Sequence, residues 1–193
     1  MQTDAWLIAG LGNPGPGYAG NRHNVGFLVL DVLAARMGAR FKRAKTRADV
    51  LEGRLVGLRT VLAKPHTFMN ESGGPIAATR TFFSVPTEQV VVIHDELDIP
   101  FGAVRLKRGG GDNGHNGLRS ITTSVGTRDY CRIRVGIGRP PGRMDPADFV
   151  LRNFSAAERE QLPLLLERAA DAVEALLGDG LERTQNVFHA DTP

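Results

Sequence analysis

The stretch AWLIAGLGNPG, residues 5–15, joins a short apolar run to a glycine-rich turn. Because such a run followed by glycines is typical of a buried strand, we predict a first strand over Ala5–Leu11. The turn has the spacing G-x-G-x-x-G, which in dinucleotide-binding proteins leads directly into a helix. The residues after Gly15 therefore decide whether this turn belongs to a dinucleotide-binding fold.

Those residues argue against a dinucleotide site. Pro14 removes one of the backbone N–H groups that would meet a pyrophosphate. Pro16 and two further glycines keep the chain out of a helix until about Val25. The acidic residue expected roughly 20 positions on, at the end of a second strand, is also missing. We therefore expect the glycines to shape an open loop that presents Asn13 and Tyr18.

Segments with strand and helix patterns alternate beyond this loop. VVVI at residues 90–93 is a continuous β-branched run, as expected of a strand buried on both faces. Ser155 and Glu158 form a capping box for a long helix, which Pro163 is expected to bend or split. The other predicted strands cover residues 48–51, 55–63, 104–107 and 131–137, and the predicted helices cover residues 25–37, 75–83, 118–124, 155–177 and 181–188. This alternation predicts an α/β fold, a single domain 1–193 with a mixed, mostly parallel sheet and helices on both faces.

Charge is unevenly distributed along the chain. Residues 155–193, an acidic helical tail, carry eight acidic and three basic side chains, a net charge of −5. The total of +3 therefore leaves +8 for residues 1–154. Either basic stretch alone, 40–47 or 105–108, is equally well explained as solvated surface. The imbalance as a whole favours a polyanionic partner, of which nucleic acid is the obvious one.

Composition narrows the class of protein. A hydrophobic content of 41% and a charged content of 23% are those of a globular domain. The single cysteine, Cys131, excludes an internal disulfide and suits a reducing cytosol. The chain has no run of about 18 apolar residues and no secretion signal at its start. We therefore expect a cytoplasmic protein without a membrane span.

The motifs indicate neither an NTPase site nor a metal site. VVVIHDE at residues 90–96 resembles the strand and carboxylate of an NTPase, but no G-x-x-x-x-G-K-[ST] segment accompanies it. The five histidines and Cys131 do not fall at spacings such as H-x-x-x-H or C-x-x-C. We expect no cofactor and no metal, while a metal site built from residues distant in sequence stays open.

Polar side chains follow four of the predicted strands. Since ligands gather at the carboxyl ends of parallel strands, these side chains are expected to form one site. They are Asn13 and His23 after the first strand, Asn70 after the strand ending at Ala63, Asp95 after VVVIH, and His115 and Asn116 in the glycine loop after Lys107. Taken singly, each has another explanation as a turn residue, a helix cap or, for His94, a buried core histidine.

This set supports a histidine that acts as general base on water. Ser72 and Ser84 lack the sequence context of a nucleophile, and Cys131 lies in a strand where it should be buried and inert. His23 lies in a polar loop, and Asp95 could fix its tautomer and stabilise its cation. Asparagine amides suit a peptide-like group or a water. The residues thus suggest hydrolysis of an ester or amide and go no further.

Five ordered motifs make the chain similar to a known family. They are GLGNPG…Y…NRHNVG from residue 10, KPHTFMNESG from residue 64, HDELDIPFG from residue 94, LKRGGGDNGHNGL from residue 106 and RIRVGIGRP from residue 132. In order and spacing they resemble the bacterial peptidyl-tRNA hydrolase family from Ala5 to about Asn186. The resemblance implies cleavage, without a metal, of the ester between an N-blocked peptide and the ribose of tRNA. This reaction would free tRNA for translation and would take part in ribosome rescue.

The resemblance also implies roles for particular residues. His23 would be the base for the attacking water, and Asp95 would keep its imidazole basic. Asn13 would separate N-blocked from free aminoacyl-tRNA, because a peptide carbonyl gives its amide a partner whereas a free ammonium leaves it unpaired beside a charge. Lys107 and Arg134 would clamp the tRNA 5′-phosphate, a contact that sets register without reading sequence. The remaining implied substrate-binding residues are Asn70 and Asn116, with Tyr18, Phe68 and Met69 lining the cleft and His115 supporting Asn116.

The implied partner is peptidyl-tRNA, bound through its CCA end, acceptor stem and 5′-phosphate by a monomer without DNA or membrane contacts. Two alternatives stay open, a non-catalytic RNA-binding module on the same fold and a small-molecule esterase or peptidase. The pairing of His23 with Asp95 argues against a module that only binds RNA. The net positive charge of residues 1–154 argues against a small-molecule esterase or peptidase. The chain departs from the family pattern at Asn21, Phe101 and Asp112–Asn113, where the acidic Asp112 is expected to weaken contact with RNA.

Overall fold

The computed structural model describes residues 4–190, in which strands and helices alternate as predicted. The strands are β1 (Trp6–Gly10), β2 (Lys42–Arg43), β3 (Ala48–Leu55), β4 (Leu58–Pro65), β5 (Val90–Glu96), β6 (Val104–Arg108) and β7 (Cys131–Gly136). The helices are α1 (Val25–Met37), α2 (Gly73–Phe82), α3 (Asn116–Val125), α4 (Pro146–Val150), α5 (Ala156–Asp179) and α6 (Leu181–Ala190). Short 3₁₀ turns lie at Arg22–Asn24, Met69–Glu71 and Thr87–Gln89.

The strands form one seven-stranded sheet with the order β2-β3-β4-β1-β5-β7-β6. β1 pairs in parallel with β4 and β5, and β5 pairs in parallel with β7. β3 and β6 run in the opposite direction to their neighbours, so that the other five strands point the same way. The predicted α/β fold with a mixed, mostly parallel sheet is confirmed.

Helices cover both faces of the sheet. On one face, Leu30 and Leu33 of α1 share a core with Val173 of α5. On the other, Ile76 of α2 and Ile121 of α3 pack together with β1 and β5. β5 is buried along its whole length because it lies between β1 and β7 and is covered on both faces. The side chains at its carboxyl end are therefore attached to a rigid part of the backbone.

The glycines of the opening stretch serve two purposes, of which the sequence predicted only one. A Cβ on Gly26 would lie 2.5 Å from the carbonyl oxygen of Ile93 and 2.5 Å from the nitrogen of Leu11. A Cβ on Gly10 would lie 2.5 Å from the carbonyl oxygen of Gly26. Of the three glycines in GLGNPG, only Gly15 has a positive φ, 103°. Gly15 thus belongs to the loop that presents Asn13 and Tyr18, as expected, whereas close contact of α1 with β1 and β5 requires Gly10 and Gly26.

The direction of β6 corrects one step of the sequence argument. Because β6 is antiparallel to β7, the strand through Lys107 ends at the sheet edge opposite the site. Residues 109–115 must therefore run back before α3 begins. Arg132, 1% exposed, supports this return by donating to the carbonyl oxygens of Gly111 at 2.5 Å and Gly110 at 3.0 Å.

Other predicted boundaries also shift. The strand predicted over residues 55–63 is interrupted by a hairpin turn, in which Val56 and Gly57 have φ values of 46° and 78°. α5 continues through Pro163 without a break. Pro163 and Arg159 are both exposed, so water can satisfy the Arg159 carbonyl that loses its helical donor. Among the described helices none is long and apolar enough to cross a membrane.

α6 covers the free edge of β6. The backbone nitrogen of Leu106 donates to Nε2 of His189 at 3.0 Å, and Nε2 of Gln185 donates to the Leu106 carbonyl at 3.0 Å. Burial and the nearby charge of Arg105 lower the pKa of His189, which favours the neutral imidazole that accepts this bond. The C-terminal helices thus protect the sheet edge from pairing with another strand.

Candidate functional site

Asp95 binds two imidazoles at the carboxyl end of β5. Its Oδ2 lies 2.8 Å from Nδ1 of His23, and its Oδ1 lies 2.8 Å from Nε2 of His115. His23 comes from the 3₁₀ turn before α1, and His115 immediately precedes α3. The structure therefore brings His23 and Asp95 together as the sequence predicted. It also gives His115 a direct contact with Asp95 that the sequence did not indicate.

The hydrogen bonds around His115 fix where the protons lie. Nδ1 of His115 accepts from the backbone nitrogens of Gly117 at 3.1 Å and Leu118 at 3.4 Å, as the N-cap of α3. Its proton must therefore lie on Nε2, which donates to Asp95. The second carboxylate oxygen then accepts from the Nδ1–H of His23. This arrangement leaves the lone pair on Nε2 of His23.

The charges in this group reinforce one another. Burial disfavours the ionised carboxylate of Asp95, but the charges and hydrogen bonds of the two imidazoles hold its pKa well below its usual range. Burial likewise disfavours the cation of His23, yet the charge and hydrogen bond of Asp95 raise the pKa of His23 above its ordinary value. Asp95 is thus an anion that makes His23 a stronger base.

Arg22 holds the turn that carries His23. Its guanidinium lies 2.6 Å from Oε1 of Glu158, donates to the Phe149 carbonyl at 3.1 Å, and stacks on the Phe149 ring at 3.9 Å. Glu158 is itself fixed, because it forms the predicted capping box with Ser155. The sequence predicted the capping box. It did not indicate that the Glu158 carboxylate also anchors Arg22, the residue before His23.

His94 is a buried core histidine, one of the alternatives for that residue. It is 1% exposed, and its Nδ1 lies 2.7 Å from the carbonyl oxygen of Asp95. Burial and the nearby His115 lower the pKa of His94 to about 3. Within residues 4–190 its Nε2 has no hydrogen-bond partner. Cys131 is also buried, as expected, and burial raises the pKa of its thiol.

Asn13 presents an amide donor beside these groups. Its Oδ1 accepts from the backbone nitrogen of Met69 at 2.7 Å, which assigns the oxygen and leaves the Nδ2 hydrogens free of partners among the described residues. The Asn24 side chain bonds both backbone groups of Asn13, each at 2.9 Å. The amide of Asn13 is therefore held in one orientation as a donor.

A cleft of ≈ 600 Å³ contains these groups. All the predicted cleft residues line it, namely Asn13, Tyr18, His23, Phe68, Met69, Asn70, Asp95, His115 and Asn116. Tyr18 and Phe68 meet edge to face with ring centroids 6.2 Å apart, and Phe68 is 55% exposed. The C-terminal helices α5 and α6 contribute none of the lining residues.

The sequence argument missed part of this lining. Arg139 lies just beyond the end of β7, so the rule of strand ends could have found it. Glu96, Leu97, Asn113 and Gly114 also line the cleft. α4 and the residue that follows it close another side, with Pro146, Ala147, Val150 and Leu151. No sequence signal marks these four, because small and apolar residues in a short helix look like ordinary packing.

Lys107 and Arg134 lie outside the cleft on two neighbouring strands. In the β6–β7 ladder, Lys107 pairs with Arg132 and Arg105 pairs with Arg134, so all four side chains project from one face. Arg134 lies 3.4 Å from Oε2 of Glu96. Burial and the charges of Arg134 and Arg132 lower the pKa of Lys107. Four cations and one carboxylate make a site suited to an anion.

One group of metal-ligating side chains occurs among residues 4–190. His23, Asp95 and His115 each offer a ligand atom, and these atoms lie within 4.8 Å of one another. The nitrogens that face Asp95 carry the protons of the two hydrogen bonds described above. An ion held there would have to replace both of them and would remove the proton that fixes the tautomer of His23.

A His–Asp pair with a free imidazole nitrogen, set beside oriented amides at the carboxyl edge of an α/β sheet, is typical of a hydrolase. A sequence model of the family described as peptidyl-tRNA hydrolase matches residues 7–193. The chain belongs to the peptidyl-tRNA hydrolase family, as the motifs predicted. It is therefore an enzyme of the hydrolase class, and the activity of its family is the hydrolysis of peptidyl-tRNA.

Individual relatives agree with this assignment. The chain is 69% identical over 185 residues to a peptidyl-tRNA hydrolase of Frankia alni, covering 96% of this chain and 94% of the relative. It is 61% identical to that of Streptomyces coelicolor, covering 98% of this chain and 99% of the relative. A crystal structure of peptidyl-tRNA hydrolase from Acinetobacter baumannii is similar with a TM-score of 0.90 at 34% identity, covering 98% and 97% of the two chains.

Proposed function

We propose that this chain cleaves the ester between an N-blocked peptide and tRNA with a water molecule that His23 activates. The observation that carries the proposal is the free Nε2 of His23, whose Nδ1 donates to Asp95 inside the cleft. An imidazole held in this tautomer can take a proton from water at neutral pH.

The reaction needs one proton to move twice. Water transfers a proton to Nε2 of His23 while its oxygen attacks the ester carbonyl carbon. The imidazolium forms next to the buried anion of Asp95, which stabilises it. When the tetrahedral intermediate collapses, the bond to the ribose oxygen breaks and that oxygen takes the proton back from His23. The products are the free peptide acid and tRNA.

Asn13 supports selection of N-blocked substrates. Its Nδ2 is the donor that faces the cleft, since its Oδ1 is engaged by Met69. A peptide carbonyl next to the ester offers this donor an acceptor. A free α-ammonium brings a donor and a positive charge instead, which leaves the amide unpaired.

An Asn13→Asp variant is expected to lose this selectivity. One carboxylate oxygen can still accept from Met69, but the other replaces a donor by an anion that attracts an ammonium. The ratio of kcat/KM for N-acetyl-aminoacyl-tRNA to that for aminoacyl-tRNA should fall about tenfold or more, the size of one hydrogen bond to a charged group. Initial rates on the two substrates measure this ratio, with Asn186→Asp on the exposed face of α6 as the matched control. An unchanged ratio would remove Asn13 from substrate selection.

Lys107 and Arg134 support contact with the 5′-phosphate of tRNA. They stand with Arg105 and Arg132 on one face of the β6–β7 ladder, and neither of them lines the cleft that would hold the ester. A contact remote from the reacting bond affects binding rather than chemistry. It also neutralises phosphate charge, so that affinity depends on salt.

A Lys107→Ala variant should therefore raise KM about tenfold and leave kcat nearly unchanged, because a charge-assisted hydrogen bond is lost. The effect should vanish on tRNA from which the 5′-phosphate has been removed. Lys42→Ala, an exposed lysine on β2 at the other end of the sheet, is the control. Steady-state kinetics on phosphorylated and dephosphorylated substrate decide the matter. Equal KM increases on both substrates would place the phosphate elsewhere.

The remaining contacts complete the proposal. Asn70 and Asn116, both exposed at the cleft, would bind the CCA end, with Tyr18 and Phe68 beside it and the acceptor stem directed towards Lys107. We further propose that residues 1–193 act as one domain, as a monomer, in the cytoplasm. The packing of α5 and α6 on the same sheet supports the single domain.

A further inference from the structure

The side chain of Asn113 connects the glycine loop to the end of β5. Its Nδ2 donates to Oε1 of Glu96 at 2.7 Å and to Oδ2 of Asp98 at 2.5 Å. A neutral amide with two donor hydrogens can hold two carboxylates at once, which a carboxylate or an apolar side chain cannot do.

Each of the two carboxylates is also bound by an arginine. Glu96 accepts from Nε of Arg134 at 3.4 Å, and Asp98 accepts from Nε of Arg139 at 3.0 Å. The hydrogen bond from Asn113 and the charge of Arg139 keep the pKa of Asp98 low. The loop is therefore tied to two acceptors, each of which is also bound by an arginine.

Most of the other bonds of the loop lie at its beginning, within it or to α3. Gly109, Gly110 and Gly114 all adopt positive φ values, and Asp112 bonds within the loop to the nitrogen of Gly114 at 3.0 Å and to Arg119 of α3 at 3.5 Å. Arg132 holds the carbonyl oxygens at its beginning. At its other end, near the residues that face the cleft, two side chains bond to β5, Asn113 to Glu96 and His115 to Asp95.

We propose that Asn113 is a positioning residue that keeps the glycine loop closed against β5 so that the substrate-binding wall is formed before the substrate arrives. This inference rests on the proposed function of the cleft. Asn113, Gly114 and Asn116 line the same cleft as Glu96 and Arg139, so the tie joins two parts of its wall. The imidazoles of His23 and His115 have their own bonds to Asp95 and do not depend on the tie.

Because the bonds of Asn113 are separate from those that hold the two imidazoles, their loss should change KM rather than kcat. If the loop is closed only part of the time, the apparent affinity equals the affinity of the closed form multiplied by the closed fraction, whereas the bound complex reacts at its normal rate. An Asn113→Gly variant removes both hydrogen bonds and retains the backbone, because glycine readily adopts the φ of 50° found here. We expect KM for N-acetyl-aminoacyl-tRNA to rise about tenfold, with kcat within about twofold of the wild type.

Asn113→Asp provides a second test of the same contact. It keeps the size of the side chain but places a third carboxylate between Glu96 and Asp98, so its KM should exceed that of Asn113→Gly. If Asn113 serves only to allow a positive φ, Asn113→Gly will leave KM unchanged. The matched control is Asp112→Asn, next to it in the loop, which retains an oxygen for Gly114 and loses a negative charge expected to weaken contact with RNA, so its KM should stay at the wild-type value or fall below it and should not rise.

A measurement without substrate separates this inference from the proposed function. Amide hydrogen exchange of residues 109–115 should be faster in Asn113→Gly than in the wild type and in Asp112→Asn. Unchanged exchange together with an unchanged KM would overturn the proposal, and so would a loss of kcat as large as the rise in KM. Failure of the wild-type chain to hydrolyse its substrate would instead overturn the proposed function, while the exchange result would still stand.

Discussion

A His23→Ala variant is expected to lose between about a hundredfold and ten-thousandfold of the rate of ester cleavage, the range typical of a missing general base. Its affinity for tRNA should stay near that of the wild type. The reason is that His23 lies in the cleft with 13% of its side chain exposed, whereas the basic residues suited to phosphate lie outside it. Single-turnover rates on N-acetyl-aminoacyl-tRNA and a filter-binding measurement give the two quantities.

His66→Ala is the matched control for this loss. His66 is exposed, lies outside the cleft, and contacts Nη2 of Arg43 at 3.0 Å. Its replacement should leave both the rate and the affinity unchanged. A normal rate in His23→Ala, or an equal loss in His66→Ala, would remove His23 from the mechanism.

An Asp95→Asn variant is expected to lose about ten-thousandfold in rate, as the corresponding change does in a Ser-His-Asp triad. Nδ1 of His115 accepts from two backbone nitrogens, so its Nε2 must remain a donor. The amide oxygen of the new residue therefore turns to His115, and its NH₂ group turns to His23. A donor facing Nδ1 of His23 moves the proton of that imidazole to Nε2, where it blocks the base.

The same reasoning gives a test of His115. In the wild type, His115→Ala removes a bond that orients Asp95 and should lower the rate. In the Asp95→Asn background it frees the amide to turn, so the added change should leave the rate unchanged or raise it. Single-turnover rates of the four proteins measure this reversal of sign. Losses that simply add would show that His115 does not orient residue 95.

The pH dependence of the rate should also differ between the wild type and Asp95→Asn. The wild-type rate should fall with decreasing pH as His23 takes up a proton, with its midpoint above the ordinary imidazole value of 6.5, because Asp95 raises the pKa of His23. Asp95 stays ionised throughout this range, since its own pKa is held low. Asp95→Asn removes the negative charge, so any residual activity should fall at a lower pH than in the wild type.

Local patterns were enough to predict most of the secondary structure. The helix predicted over residues 25–37 is found with the same bounds, and Gly38 ends it with a φ of 64°. The β-branched run at residues 90–93 forms part of a fully buried strand. These features depend on neighbouring residues, because helix periodicity, capping and β-branching act within a few positions of the chain.

Features that depend on distant contacts were missed or wrongly predicted. The direction of β6 follows from its pairing with β7, and the role of Gly10 follows from its contact with Gly26. The continuity of α5 through Pro163 reflects burial of its later residues against α1. Neither a strand direction nor a close approach has a signature in the sequence of the segment itself.

The sequence by itself determined the fold class and the family, and it predicted the meeting of His23 with Asp95, because its motifs and the rule of strand ends depend only on the order of elements. Tertiary structure alone decided which atoms carry protons and what holds them. The bond of His115 to Asp95, the anchoring of Arg22 by Glu158 and the tie from Asn113 each join residues far apart in the chain. Such bonds depend on distances of a few tenths of an ångström between side chains, which only the packed molecule defines.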